Sequence, residues 1–407
     1  METILFQILT MNNSLQHLTN ILSISLGIRF FSMKIVLPFL SFYALSLEGG
    51  NPALTGYALG IFGLTQAIFQ IPLGTLADKI GFKKVMIMGL ILLIAGLITA
   101  AFATSVYWFI FARALQGSGA IVTVGYSWIS SAAIDSERDN ELTRLGAVIG
   151  IFTMLSYTIG PLLHIFMSIS QMFIFSAFLV FCCTIWIITC THHVAPEKRI
   201  KYASEEKKNK SKSVFNRTNL SLGLLLTLNG VLMLAFFFTI PLLLKGIMET
   251  EEMWKILTPS ILISIGLLPI FSKLIIHYNP RTILIFLFIL EGLGFILLFK
   301  GNITQLFAGT AFIMTGSFSV STLVPMLANR NINNSQRGKG NGIIISMQYF
   351  GSFLGAITTG YFWGISKLCT FIFAWIIALL GILLIFSISF NKKSYNNNKD
   401  KLKFNHE

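Results

Sequence analysis

Apolar residues fall in twelve long blocks along the chain, and polar residues are mostly confined to the gaps between them. The blocks cover 22–46, 52–76, 84–104, 106–131, 144–167, 170–190, 219–244, 253–276, 281–300, 303–328, 340–364 and 367–390. Each is about 20 residues or more, enough for a helix rising ~1.5 Å per residue to cross a roughly 30 Å hydrocarbon core. The pattern predicts an all-α membrane protein of twelve transmembrane helices. One polar interruption is long: Glu197 to Arg217, rich in Lys, Ser, Glu and Asn. It divides the chain into a six-helix half over 1–190, a linker over 191–218, a second six-helix half over 219–390 and a basic tail over 391–407.

Composition agrees with this division. Hydrophobic residues make up 54% and charged residues 11% of 407, and the mean hydropathy is +0.76, outside the usual range of soluble globular chains. A net charge of +14 invites a nucleic-acid reading, but that requires Lys and Arg gathered on one soluble domain. Here 23 of the 30 basic residues lie in gaps on the same side as the turn at 79–84, four lie on the opposite side, and Arg29, Lys34 and Arg113 lie inside blocks. The positive-inside rule then places that turn, the linker and both termini in the cytoplasm. Membrane lipids, and not nucleic acid, are the expected surroundings. Cys182, Cys183, Cys190 and Cys369 lie in or at the ends of blocks without metal-ligand spacing; they read as packing residues, and no metal or cofactor is expected. Glu2 and the lack of a basic stretch before the first apolar run argue against a cleaved leader.

Two stretches carry motifs. The turn reads Gly-Thr-Leu-Ala-Asp-Lys-Ile-Gly-Phe-Lys-Lys over 74–84. Gly74 lets a neighbour approach, Gly81 permits a tight turn, and Lys79, Lys83 and Lys84 mark a cytoplasmic surface. The fourth block contains Arg113-Ala-Leu-Gln-Gly-Ser-Gly119. The turn resembles the loop between the second and third helices of the major facilitator superfamily, Gly-x-Leu-Ala-Asp-Arg-x-Gly-Arg-Arg/Lys. Gly74, Leu76, Ala77, Asp78, Gly81 and Lys83 match it, and Lys79 and Phe82 replace two arginines. The fourth block resembles the same family's Arg-x-Leu-Gln-Gly-x-Gly. With Arg29, Leu37-Pro38 and the Gly63 to Pro72 run, roughly the first 165 residues are similar to the YajR-type bacterial inner-membrane transporters. Members of that type carry a soluble C-terminal domain, where this sequence has an Asn/Lys-rich run after Phe390.

The resemblance implies a secondary active transporter of the bacterial inner membrane, working as a monomer on a small-molecule substrate by alternating access. It further implies a proton gradient as the driving force, export as the direction, and no catalytic residues. Gly160-Pro161 matches the core of the family's antiporter motif, although Leu162, Leu163 and His164 stand where small residues are usual.

Candidate site residues form two groups. Asp78 is expected at the N-terminus of the eleventh helix, near Gly340-Asn341, where unpaired backbone N–H groups and the helix dipole favour an anion; Asp135 would join it as partner of the turn's basic side chains. The second group lies along the expected pathway. A charge inside a bilayer costs roughly 2.5–3.5 kcal/mol on insertion scales, so each needs a reason. Arg113 either faces the cavity, linking proton and substrate, or snorkels to the headgroups. Arg29 and Lys34 are expected to face water, about 140° apart on one helix. Glu291, the one acid inside any block, is either a proton carrier or a structural residue of a peripheral helix, and His164 reads as a hydrogen-bonded packing residue. Gln66, Gln70, Gln116, Thr227, Asn229 and Gln348 line the cavity or bond between helices. The blocks of the first half hold three cations and no acid, so a positive potential and a substrate with an anionic group are expected.

Glycine pairs four apart, at 56/60, 146/150, 351/355 and 360/364, allow close helix approach. They single out the second, fifth and eleventh helices as the contact between halves. Other function classes fit less well. An ATP-driven pump would need a phosphate-binding Gly-x-x-x-x-Gly-Lys-Ser/Thr loop, which the sequence lacks. A membrane transferase would need clustered carboxylates for Mg²⁺, whereas Asp135 to Glu141 is interrupted by Arg138 and Glu249 to Glu252 lies on the outer side. A non-transporting receptor on the same fold would be separated by a flux measurement.

Overall fold

The computed structural model describes residues 2–133, 135–191, 217–329 and 337–388. The linker, up to the start of the seventh pass, and the basic tail lie outside them. The helices are α1 (Glu2–Lys34), α2 (Leu40–Ser46), α3 (Pro52–Ile80), α4 (Phe82–Ala101), α5 (Val106–Ser118), α6 (Val122–Ala132), α7 (Asp135–Leu163) and α8 (Ile169–Cys190) in the first half. In the second half they are α9 (Arg217–Lys245), α10 (Trp254–His277), α11 (Pro280–Lys300), α12 (Ile303–Asn329), α13 (Arg337–Ile365) and α14 (Lys367–Ser387). Among the described residues eleven passes are long and apolar enough to cross a membrane, with α1 and α2 counted as one. The fourth block accounts for one more, crossing as the pair α5 and α6. Two faces result: the hairpin face, holding the turn between α3 and α4, and the far face opposite.

Local chemistry sets the boundaries. Asn51 caps α3 by accepting from Leu54 N, with Pro52 at the first helical position, and Ser105 caps α5 in the same way through Trp108 N. Ser168 and Gln171 form a reciprocal capping box on α8. Gly81 ends α3 at φ 103°, a value open to glycine and strained for other residues.

Two passes are interrupted, which the apolar pattern does not reveal. In the first, α1 stops at Lys34 and a short 3-10 turn, Leu37–Phe39, leads into α2. Pro38 cannot donate to the carbonyl of Lys34 and its ring crowds that turn. In the fourth, Gly119 to Ile121 separate α5 from α6.

The halves meet mainly through α3 and α13. A Cβ on Gly56 would lie 2.5 Å from Ala356 O, one on Gly63 2.6 Å from Tyr349 O, and one on Gly360 2.9 Å from Gly56 Cα. These glycines are what allows the two backbones to touch. Two expected pairs behave differently. Gly351 and Gly355 pack on Thr227 and Val231 of α9, within the second half, and Gly150 has nothing within 4 Å. The fifth helix does meet the second half, but near its far-face end, where Thr258 Oγ1 of α10 donates to Thr158 O at 3.0 Å. That contact lies away from the 146/150 pair.

Candidate central site

The break in the fourth pass organises the interior of the first half. Helix interruption takes carbonyls at mid-depth out of the regular ladder: Gly119 O accepts from Ile121 N at 2.9 Å across the break and keeps a second lone pair for another donor. Arg29 Nη2 supplies one to Gly119 O at 2.7 Å and also donates to Gln66 Oε1 at 3.1 Å. Gln66 Nε2 passes on to Gln70 Oε1 at 3.1 Å, and Gln70 Nε2 to Thr123 Oγ1 at 2.5 Å on α6. One continuous polar chain therefore ties α1, α3 and both pieces of the broken pass together.

This corrects one expectation. Arg29 does not face water: it is 0% exposed, as are Gln66 and Gln70. The reason is the carbonyl of Gly119, which at the break takes Ile121 N and still offers a lone pair to the guanidinium. Gln116 is also fully buried. It accepts from Arg113 Nη1 at 2.6 Å and donates to Gly96 O at 3.0 Å, so Arg113 is held inside the bundle and does not snorkel. Its guanidinium lies 4.7 Å from the Phe62 ring centroid, an attractive arrangement for a cation.

Lys34 is different. It is half-buried, its ammonium donates to the Tyr157 hydroxyl at 2.8 Å, and Arg113 is near enough for its charge to act on it. No carboxylate lies within bonding reach of Arg29, Lys34 or Arg113 among the described residues. Tyr157 is fully buried and stacks against two rings of the other half, Phe237 on α9 at 5.0 Å and Phe318 on α12 at 5.6 Å. The sequence reasoning missed this trio. Its traces were the Phe236 to Phe238 run and a tyrosine three residues before Gly160.

The second half carries its own polar cluster. Asn229 Nδ2 and Gln348 Nε2 both donate to Ser321 Oγ, at 2.9 and 2.7 Å, and Thr227 Oγ1 donates to Met347 O at 3.1 Å. Glu291 is 0% exposed between α11 and α12 and borders this cluster through Ser317, whose carbonyl accepts from Asn229 Nδ2 at 3.5 Å. Ser317 Oγ donates to its Oε1 at 3.3 Å, and Oε2 has no partner among the described residues. His164 Nδ1 lies 3.1 Å from Met167 O and its ring packs on Phe39 at 4.3 Å. With Phe42, Tyr43 and Glu251 it lines a far-face cleft of about 480 Å³.

At the hairpin face, Lys83 Nζ donates to Ile188 O at 2.9 Å, tying the turn to the end of α8. Gly74 faces the Thr123 side chain of α6. Asp78, Lys79 and Lys84 are exposed. The side chains of Asp135 and of Asn341, at the start of α13, lie outside the described residues.

Comparison with known proteins places this arrangement. The Major Facilitator Superfamily pattern matches residues 22–253, more than half of the chain. The chain belongs to the major facilitator superfamily. It is 28% identical over 344 residues to the inner membrane transport protein YajR of Escherichia coli, covering 82% of this chain and 75% of that one. To an uncharacterized transporter of Buchnera aphidicola subsp. Baizongia pistaciae it is 29% identical over 342 residues, covering 82% and 86%. Among solved structures, a D-xylose-proton symporter superposes with a TM-score of 0.73 at 12% identity, covering 91% and 96% of the two chains; this likeness is one of fold. The chain is thus a multi-pass membrane transporter of this superfamily, and the two interrupted passes and the Lys34–Tyr157 pair lie within the residues that the family pattern spans.

Proposed function

We propose that this transporter exports a small solute bearing an anionic group across the bacterial inner membrane by alternating access, with a proton gradient as the driving force. The observation that carries the substrate class is Lys34. It is a half-buried ammonium at an interrupted helix, bonded to a neutral hydroxyl and close to a second cation. A site of this sign attracts anions and repels cations. The superfamily's two-half mechanism and the inner-membrane name of the YajR relative support the transport mode and the location. Export follows the Gly160-Pro161 resemblance. Gly160 also has a local reason to be small, since a Cβ there would press on the Ile35 backbone in the break of the first pass. The turn at 74–84 would be the cytoplasmic gate, with Asp78 at its centre.

Purified protein in liposomes with an imposed pH gradient tests this reading against panels of carboxylates, phosphates and permanent organic cations. Lys34→Ala is expected to weaken anion binding about 10- to 100-fold, the range set by a charge-assisted hydrogen bond of about 1.5–3 kcal/mol. The loss should be larger at low salt, where screening is weaker. Tight binding of an organic cation that Lys34→Ala leaves unchanged would exclude the anionic substrate.

Glu291 is the one acid embedded in the spans, so we assign it the proton. Glu291→Gln should then abolish pH-driven flux while counterflow of substrate at equal pH persists. Acid-driven flux at the wild-type rate in that variant would return Glu291 to a packing role between α11 and α12.

A further inference from the structure

Tyr157 joins two kinds of contact that are otherwise separate. Its hydroxyl receives the Lys34 ammonium at 2.8 Å, a bond within the first half. Its ring, 0% exposed, stacks in near-parallel fashion on Phe237 and Phe318 of the second half, with interplanar angles of 21° and 22°. The next residue, Thr158, gives its carbonyl to Thr258 across the same junction. Two consecutive residues of α7 therefore clasp the other half through ring stacking and a hydrogen bond, and the ring's one polar atom depends on Lys34.

We propose that Tyr157 is a latch between the halves whose hold is released when an anion takes Lys34. In the clasped state the hydroxyl is buried, and the ammonium is the partner it has there. A carboxylate or phosphate group binding Lys34 competes for that ammonium. The hydroxyl is then left unpaired among phenylalanine rings, a cost that buried polar groups meet by moving to another partner. Separation of α7 from α9 and α12 lets water reach it. Ligand occupancy is thereby converted into a difference in stability between clasped and parted halves, the requirement for any ligand-driven change of state. The ligand side of this proposal rests on the anion reading above; the latch itself does not.

A double-mutant cycle read by distance separates the two. Spin labels at Phe102→Cys and Asn302→Cys, both exposed at the far-face ends of opposite halves, would report the separation by electron–electron double resonance. The background carries Ser in place of the four native cysteines. Without ligand, Lys34→Met orphans the hydroxyl and is expected to raise the odds of the long distance roughly 5- to 100-fold, the effect of one unsatisfied buried group. Adding Tyr157→Phe removes the group that was orphaned and should bring the long-distance fraction back to that of the unsubstituted protein. No effect of Lys34→Met, or one that Tyr157→Phe fails to reverse, overturns the latch.

With naphthoate as the probe, the otherwise unsubstituted labelled protein should shift to the long distance, whereas Tyr157→Phe alone should bind naphthoate without shifting. An equal shift in both overturns the latch as well. Absence of naphthoate binding together with a normal ligand-free cycle supports the latch and counts against the anionic substrate.

Discussion

Gln66→Leu is expected to cost about 1.5–3 kcal/mol of stability, a large change for one buried side chain, because it strips a hydrogen-bond acceptor from a fully buried guanidinium. Arg29 has two described partners, Gln66 Oε1 and Gly119 O, and both are served by Nη2. Its Nε and Nη1 already lack partners among the described residues. Removing the amide leaves one carbonyl to hold a cation at mid-depth and also frees Gln70 Oε1, which accepts from Gln66. The double variant Arg29→Leu/Gln66→Leu should be more stable than Gln66→Leu alone, since deleting both members of a buried polar pair is less costly than deleting one. Thermal unfolding of the detergent-solubilised variants checks the order. A double variant that is the less stable of the two would mean that Arg29 contributes through packing, not through its charge.

Gly351→Val should have the second large effect, preventing α9 and α13 from closing. Any Cβ at Gly351 would overlap Thr227 O, and the same stretch is fixed by the bond from Thr227 Oγ1 to Met347 O. Overpacking of this kind costs about 1–3 kcal/mol or more, and here the obstacle is backbone that cannot rotate away. Gly150→Ala is the matched control. With nothing within 4 Å of its Cβ position, that change should gain up to about 1 kcal/mol from helix propensity. Yield of monodisperse protein and its unfolding temperature should separate the two variants clearly.

That contrast marks where the sequence was informative. Both glycines belong to pairs four residues apart, and spacing alone could not tell a helix contact from an open flank. What decided it was which face of each helix its neighbours cover, a property of the assembled bundle. The passes themselves were legible because a bilayer-length apolar block has few other uses; their capping residues Asn51, Ser105 and Ser168 emerge from the structure. The breaks were harder. Pro38 hinted at one, but nothing in Gly119 to Ile121 separates a broken helix from a glycine-rich continuous one. With the fourth break unseen, the partner of Arg29 was unseen too, and a buried structural cation looked like one facing water. Lys34 and Arg113 could be recognised as costly charges from their positions alone. The rings that meet Lys34's partner could not, because Tyr157, Phe237 and Phe318 come together only when the halves dock.

The interrupted fourth pass also bears on how the chain enters a membrane. With 13 and 11 residues, α5 and α6 extend about 20 Å and 16 Å at 1.5 Å per residue, each too short to cross alone. The peptide groups between them are a liability in lipid until a donor arrives. That donor sits 90 residues upstream, so it has left the ribosome and entered the bilayer before the fourth pass is made. Order of synthesis thus supplies the order of assembly: the first pass waits with its guanidinium, and the fourth settles against it. A circular permutation that moved the first pass to the end of the chain would invert that order, leaving the Gly119 carbonyl with Ile121 N as its one donor and without the guanidinium throughout translation.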